Sequence, residues 1–265
     1  MNEEKKHIVI STENLNIGYQ HKKQDKIVLS DINLSIEKGE LVCVLGKNGI
    51  GKSTLLRTLS KVQKPISGHI NLEGKKLSTY KEYELSKKLS LVLTERLPES
   101  QLTVYELIAL GRQPHTNWLD TLTSNDTQKI DLAISQTEIS HLKDKRFYEL
   151  SDGQLQRVLI ARALAQDTEV IILDEPTAHL DMHQTLNIFA LLKKLVLETK
   201  KTIIISSHEI NLALKMTDKI ILLKENEVQF GTTEKLIKSN AFDNLFPNNL
   251  LIFNKTLQQF VINKS

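Results

Sequence analysis

The sequence predicts a mixed α/β fold, in which parallel strands alternate with helices behind an antiparallel β-rich beginning and around an inserted helical part. Three observations carry that expectation. An apolar strand-like run, ELVCVL, leads through a glycine-rich turn directly into the helix-forming KSTLLRTLS. From EVIILDEP onward, apolar strands and amphipathic helices alternate, the order from which parallel βαβ units are built. Between these regions, residues from about 96 to 167 read as helices.

Taken in order, IVISTENLNIGY, KIVLSDINLSI and ELVCVLG read as strands separated by polar or glycine-containing turns. GHINLEG is a further strand, YKEYELSKKL a helix and LSLVLT a strand. The helical part contains TVYELIALGR, SNDTQKIDLAISQTEI and a long stretch that begins at SDGQ. After EVIILDEP come the helix DMHQTLNIFALLKKLVLETK, the strand KTIIISSH and the helix EINLALKM. KIILLKENEVQFG reads as two short strands joined at Glu225 and Asn226, and TTEKLIK as a closing helix. Residues 239–265 form an extension whose pattern points to no function. With no internal repeat or flexible linker, residues 1–265 are expected to form a single domain with subdomains.

Composition narrows the function classes. Lys and Arg number 35 and Asp and Glu 32, a net charge of +3 that is too small and too dispersed for a dedicated nucleic-acid binder. No uninterrupted apolar run exceeds five residues, whereas a membrane-spanning helix needs roughly 20. MNEEKKHIVI lacks the apolar stretch of a secretory signal, and the lone Cys43 has no partner for a disulfide, so a reducing cytoplasm is the expected compartment. Cys43 lies in a wholly apolar run and is expected to be a buried strand residue.

The segment GKNGIGKST, Gly46, Lys47, Asn48, Gly49, Ile50, Gly51, Lys52, Ser53 and Thr54, matches a phosphate-binding loop. Its glycines let backbone N–H groups converge on phosphate oxygens, and the following helix aims its N-terminal dipole at the same charge. Lys52 is expected on the β- and γ-phosphates, Ser53 on Mg²⁺ and Thr54 on the α-phosphate of ATP. Such a loop needs a carboxylate from a buried strand end, which VIILDEP supplies: Asp174 for the metal and Glu175 to polarise an attacking water. His179 and His183 are four residues apart, but no glutamate follows the first and the pair is not expected to hold metal.

With LSDGQLQR opening a helix a short distance before the Asp174 strand, the chain resembles the nucleotide-binding subunits of ABC transporters, whose signature is commonly LSGGQ. The resemblance covers about residues 8 to 235 and implies a three-layer ATPase core with an antiparallel β subdomain and an inserted helical subdomain. It implies that Tyr19 stacks on adenine, that His208 contacts the γ-phosphate and that Asp181 sits in the loop joining the two halves of a dimer. Ser151, Asp152, Gly153 and Gln154 form the signature, in which Ser151, Gly153 and Gln154 act on the nucleotide of a second, head-to-tail subunit. Two positions depart from the family pattern: Glu95 stands where glutamine is usual, still able to ligate Mg²⁺ but not to donate an amide hydrogen bond, and Asp152 replaces a glycine. An acid at a helix start suits the dipole, so Asp152 is expected to face away from phosphate.

The resemblance further implies permease partners, a substrate-binding protein reached through them, a homodimer and a peripheral position on the cytoplasmic face of a membrane. TVYELIALGRQPH, within Thr103 to Asp120, is similar to the version found in importers of iron chelates, such as siderophores and haem, and of cobalamin. Leu107, Leu110 and Trp118 in that segment read equally as subdomain core. The competing class is a soluble ABC ATPase, for instance one acting in iron-sulfur cofactor assembly.

Overall fold

The computed structural model describes residues 7–20, 24–93, 100–117, 121–225, 227–243, 245 and 251–263. The chain divides into two compact units, residues 1–79 with 204–265 and residues 80–203.

The first unit begins with β1 (Ile8–Tyr19), flanked by β2 (Lys26–Ile32) and β3 (Ser35–Glu37). Both pair antiparallel with β1, β3 along its beginning and β2 along its end. The single strand expected over KIVLSDINLSI is thus broken in two, and the polar side chains at the break explain why. The Asn33 amide donates to the carbonyl and carboxylate of Asp31 at 3.1 and 2.9 Å, while its oxygen accepts from the Asn14 N–H at 2.9 Å. Asp31 takes a left-handed φ of 52°, which such local side-chain bonds make tolerable.

Next come β4 (Leu41–Leu45), fully buried along its length, and α1 (Lys52–Leu59). α1 turns Leu55, Leu56 and Leu59 into the core. β5 (Ser67–Leu72) pairs with the other side of β1, and β6 (Lys75–Lys76), which the sequence did not announce, closes that antiparallel sheet.

The second unit holds α2 (Glu82–Ser86), β7 (Leu89–Val92), α3 (Val104–Ala109), α4 (Ser124–Gln136), α5 (Asp152–Ala165), β8 (Val170–Leu173) and α6 (Met182–Thr199). β7 and β8 run parallel, with Leu89 opposite Val170. α3, α4 and α5 each start at a reciprocal cap, Thr103 with Glu106, Thr123 with Asp126 and Ser151 with Gln154, and each cap satisfies backbone donors the helix itself leaves over. The expected helix TVYELIALGR stops being α-helical at Ala109 and continues as a 3₁₀ turn, Leu110–His115. Gly111 favours helix poorly, and Pro114 removes an N–H and disfavours α geometry at the residue before it.

The chain returns to the first unit through β9 (Thr202–Ser206), followed by α7 (Ile210–Met216), β10 (Lys219–Lys224), β11 (Glu227–Gly231) and α8 (Thr233–Lys238). β10 lies parallel to β4 and antiparallel to β11, and just past β9 the Ser207 N–H donates to the Val44 carbonyl at 3.2 Å. The extension forms a hairpin, β12 (Leu251–Asn254) and β13 (Gln259–Ile262), docked on α7. Asn211 donates to the Phe260 carbonyl at 3.2 Å and accepts its N–H at 2.8 Å, while Phe253 stacks against Phe242 and Phe260 with ring centroids 4.8 and 5.2 Å away. Among the described residues no helix is long and apolar enough to cross a membrane.

Candidate functional site

The predicted site residues fall in both units: Tyr19, Gly46 to Thr54 and His208 in the first, and Asp174, Glu175, Asp181 and the signature in the second. Glu95 and Trp118 lie outside the described residues.

In the first unit, buried β4 delivers the chain into the loop and Gly51 launches α1. Gly51 has a φ of 117°, and a Cβ there would meet Val28 Cγ1 at 2.8 Å, so neither backbone nor neighbours tolerate a side chain. The first-turn amides of a helix have no intrahelical acceptor, and here they are delivered beside Lys52. That lysine is only 5% exposed. Its ammonium donates to the Gly46 carbonyl at 3.2 Å and to that of Lys47 at 3.5 Å, so it is held over the loop by the loop's own backbone. His208 Nδ1 sits 3.5 Å from Lys52 Nζ. An ammonium only donates, so in this contact Nδ1 takes the acceptor role. Tyr19 is 48% exposed, and its hydroxyl lies 3.3 Å from Thr54 Oγ1. The Gln63 amide donates to the Gly18 carbonyl and so steadies the backbone behind the ring.

The strand leading into the loop carries Cys43, fully buried, its thiol pushed well above the ordinary range by burial, which the Lys52 charge only partly opposes. It is a packing residue.

In the second unit, Asp174 is buried at the end of β8, and its N–H donates to the Val92 carbonyl at 2.9 Å. Glu175 follows with a left-handed φ of 49°. Such a backbone costs of order 1–3 kcal/mol for a residue with a side chain and persists only where the surroundings over-determine it. The donors expected from the sequence for a divalent ion, a serine hydroxyl at Ser53 and a carboxylate at Asp174, are oxygens, the type a hard cation such as Mg²⁺ takes. Among the described residues no cluster of three His, Cys, Asp or Glu side chains offers a competing metal site. His179 has a φ of 66° and precedes α6, so it does not share a helical face with His183, whose ring contacts Asn187 at 3.2 Å.

The signature opens α5. Ser151 Oγ accepts the Gln154 N–H at 3.4 Å, and Gln154 Oε1 accepts the Ser151 N–H at 3.1 Å. A hydroxyl that accepts still has its own proton to donate, so capping the helix leaves Ser151 competent toward an anion. Asp152 occupies the exposed first turn. Asp181 caps α6 by accepting the Gln184 N–H at 2.8 Å. A Cβ on Gly153 would come within 3.0 Å of Gln184 Oε1, and the two helix starts border an open pocket of ≈ 160 Å³ lined by Ser151, Gln154, Arg157, Gln184 and Asn187. Sequence reasoning missed Gln184 and Asn187. Their signal was positional, three and six residues after the capping Asp181 and so on one helical face.

In the TVYELIALGRQPH segment, Leu107, Gly111 and Arg112 are buried and Leu110 half-buried. Arg112 pairs with buried Asp126, Nη2 to Oδ1 at 2.9 Å.

A family profile described as ABC transporter matches residues 29–178. The iron(3+)-hydroxamate import ATP-binding protein of Bacillus subtilis is 35% identical over 238 residues, 89% of this chain and 87% of that protein. The solved inward-facing structure of a metal-chelate type ABC transporter covers 96% of this chain and 95% of its own, with a TM-score of 0.78 and 29% identity. An ATP-binding cassette solved as a dimer with ADP and Pi gives 0.71 and 30%, covering 84% of this chain and 98% of its own.

Proposed function

The chain belongs to the ABC transporter family as an ATP-hydrolysing subunit, and from that premise we propose that it energises import of iron chelates, siderophores or haem, through separate permease subunits. It works as a pair of copies on the cytoplasmic face of the membrane, and a substrate-binding protein hands cargo to the permease. What supports the cargo is the likeness, over nearly the whole chain, to an iron(3+)-hydroxamate import subunit and a metal-chelate type transporter. Neither name mentions cobalamin, which therefore enters as an outcome of the test.

The observation that carries the chemistry is buried Lys52, held over the loop beside the His208 ring. Lys52 compensates the β- and γ-phosphates, the Thr54 region receives the α-phosphate, and Tyr19 offers its exposed ring to adenine. Mg²⁺ would be held by Ser53 and Asp174, with Glu95 as a further oxygen donor, and would supply charge compensation between phosphates. Glu175 accepts a proton from water as that water attacks the γ-phosphorus and the bond to the β–γ bridging oxygen breaks. His208 donates from Nε2 to a γ-phosphate oxygen, which lets the ring sense whether that phosphate is present. Ser151, Gly153 and Gln154 contact the γ-phosphate bound by the other copy, so hydrolysis removes a ligand that bridges two subunits.

Deleting the subunit tests the reading in cells that have no redundant copy. Growth on a chelated iron source should fail while uptake of sugars and amino acids continues. Loss of cobalamin uptake alone would move the cargo to cobalamin, and normal uptake of both would leave an ATPase acting elsewhere, such as in cofactor assembly.

A further inference from the structure

The C-terminal end of α5, the helix that carries the signature at its other end, is gripped by the 3₁₀ turn Leu110–His115. A helix leaves its last carbonyls without intrahelical donors, and they form the negative end of its dipole. Arg112 Nη1 donates to one of them, Ala165, at 2.7 Å. The His115 ring contacts the next carbonyl, Gln166, at 2.9 Å through Nε2. Gly111 lies so close that a Cβ would stand 2.3 Å from the Arg162 carbonyl. The Gln166 amide in turn donates to the carbonyls of Ser86 and Leu89, at 2.6 and 3.3 Å, beside the start of β7.

The grip is itself buttressed. Arg112 is 2% exposed, and its Nε and Nη2 both donate to Asp126 Oδ1 at 2.9 Å. The other oxygen of Asp126 accepts from the Thr123 N–H and hydroxyl at 2.9 and 2.6 Å, the cap of α4. One planar guanidinium therefore joins the start of α4 to the end of α5, a division of donors that an ammonium cannot reproduce. An ion pair serving stability alone needs no third donor on a helix terminus.

We propose that Arg112, with Gly111 and His115, is a clasp that sets the axial position of the signature helix, making Arg112 a positioning residue for Ser151 and Gln154 at the opposite end. α5 has 14 residues, a rod of about 21 Å at 1.5 Å per residue, and a rigid rod displaced at one end is displaced at the other. A misplacement of about 1 Å at a reacting group can cost on the order of 10²-fold in rate. The proposal rests on the reading that the signature acts on the partner's nucleotide. It assigns the GR and PH of the segment a mechanical task, since a residue as buried as Arg112 cannot meet a permease directly.

The test uses the full chain carrying Glu175→Gln, which should trap the ATP-bound dimer. Arg112→Met with Asp126→Asn removes both buried charges together and keeps the oxygen that caps α4, and Arg112→Lys keeps the charge alone. Three quantities are measured: ATP affinity of the monomer, the dimer dissociation constant with ATP, and amide hydrogen exchange along residues 152–165. The expected result is unchanged ATP affinity, a dimer at least about tenfold weaker, and faster exchange reaching residues 152–157, with the lysine variant intermediate. Faster exchange confined to residues 162–165, with an unchanged dimer, would overturn the clasp. Should the double variant fail to fold, the lysine variant decides by the same readouts. Ser151→Arg separates the two ideas: a normal dimer in that control rejects the trans reading, while exchange at residues 152–157 still judges the clasp.

Discussion

At the scale of the residue, the site works by placing ordinary groups in uncommon settings. Lys52 is nearly devoid of solvent, and its ammonium donates to two carbonyls of the loop itself beside the His208 ring, so its charge is directed at the loop. Lys52→Ala should weaken ATP binding by at least about 10-fold, the loss of one charge-assisted contact at roughly 1.5–3 kcal/mol, as titration of the purified chain would read. Glu175→Gln should instead leave binding intact and slow hydrolysis by at least about 10²-fold, the usual range for a lost general base, with an ATP-dependent dimer accumulating in size-exclusion chromatography. Near-normal turnover there would remove Glu175 as the base. Asp126 makes a pH prediction. Burial pushes its carboxyl upward, but the Thr123 hydroxyl and N–H and the Arg112 guanidinium more than offset this and hold it down at about 2, against an ordinary 3.8. A carboxyl depressed in the folded state stabilises above its unfolded value and loses that contribution as pH falls through the folded one. Between about pH 4 and pH 2 the denaturant midpoint should therefore drop more in the wild type than in the Arg112→Met, Asp126→Asn variant.

Elements whose causes are local were legible in the sequence. β1 spans the expected IVISTENLNIGY, α1, β4, α6 and β9 lie within one or two residues of the runs that announced them, and β8 ends three residues before its run does, because an apolar run or a 3.6-residue period is a property of the segment itself. The break at Asp31 to Asn33 depends on bonds reaching Asn14 and Asn16 across the sheet, which no window along the chain contains. The 3₁₀ turn is similar: Gly111 and Pro114 signal a disturbance, but only the end of α5 explains its shape. In the site, the loop, Asp174 and the signature were readable from motif order, whereas the capping tasks of Ser151 and Asp181 and the position of Gln184 beside Gly153 required the helix starts to be in place. The terminal hairpin went unread because its strands are four residues each and their apolar side chains find partners on α7 and at Phe242. Truncating Phe260, which touches both other rings of that cluster, to alanine should cost about 3–5 kcal/mol. A urea titration would show it as a lowered midpoint, and a shift below about 1 kcal/mol would mean that the hairpin is not integral to the first unit.

For the whole molecule, nucleotide and stability are linked quantities. Any ligand that binds the folded chain alone stabilises it by RT ln(1 + [L]/Kd), about 2.7 kcal/mol at 100 Kd, and a protein whose phosphate loop issues from a core strand should feel this at the core. Cys43 turns that linkage into something countable. It is the chain's single cysteine, sealed in the strand that runs into the phosphate loop, and its thiol is far from ionised. Since only the thiolate reacts, an electrophile in excess should find nothing to modify until β4 leaves the sheet, and each modification records one opening of the core. Saturating the protein with ATP at 100 Kd should then slow the labelling about 100-fold where openings release nucleotide, and leave it unchanged where they do not. The same silence means that cysteines introduced at Ser151 or on the hairpin can be labelled without first removing the native one.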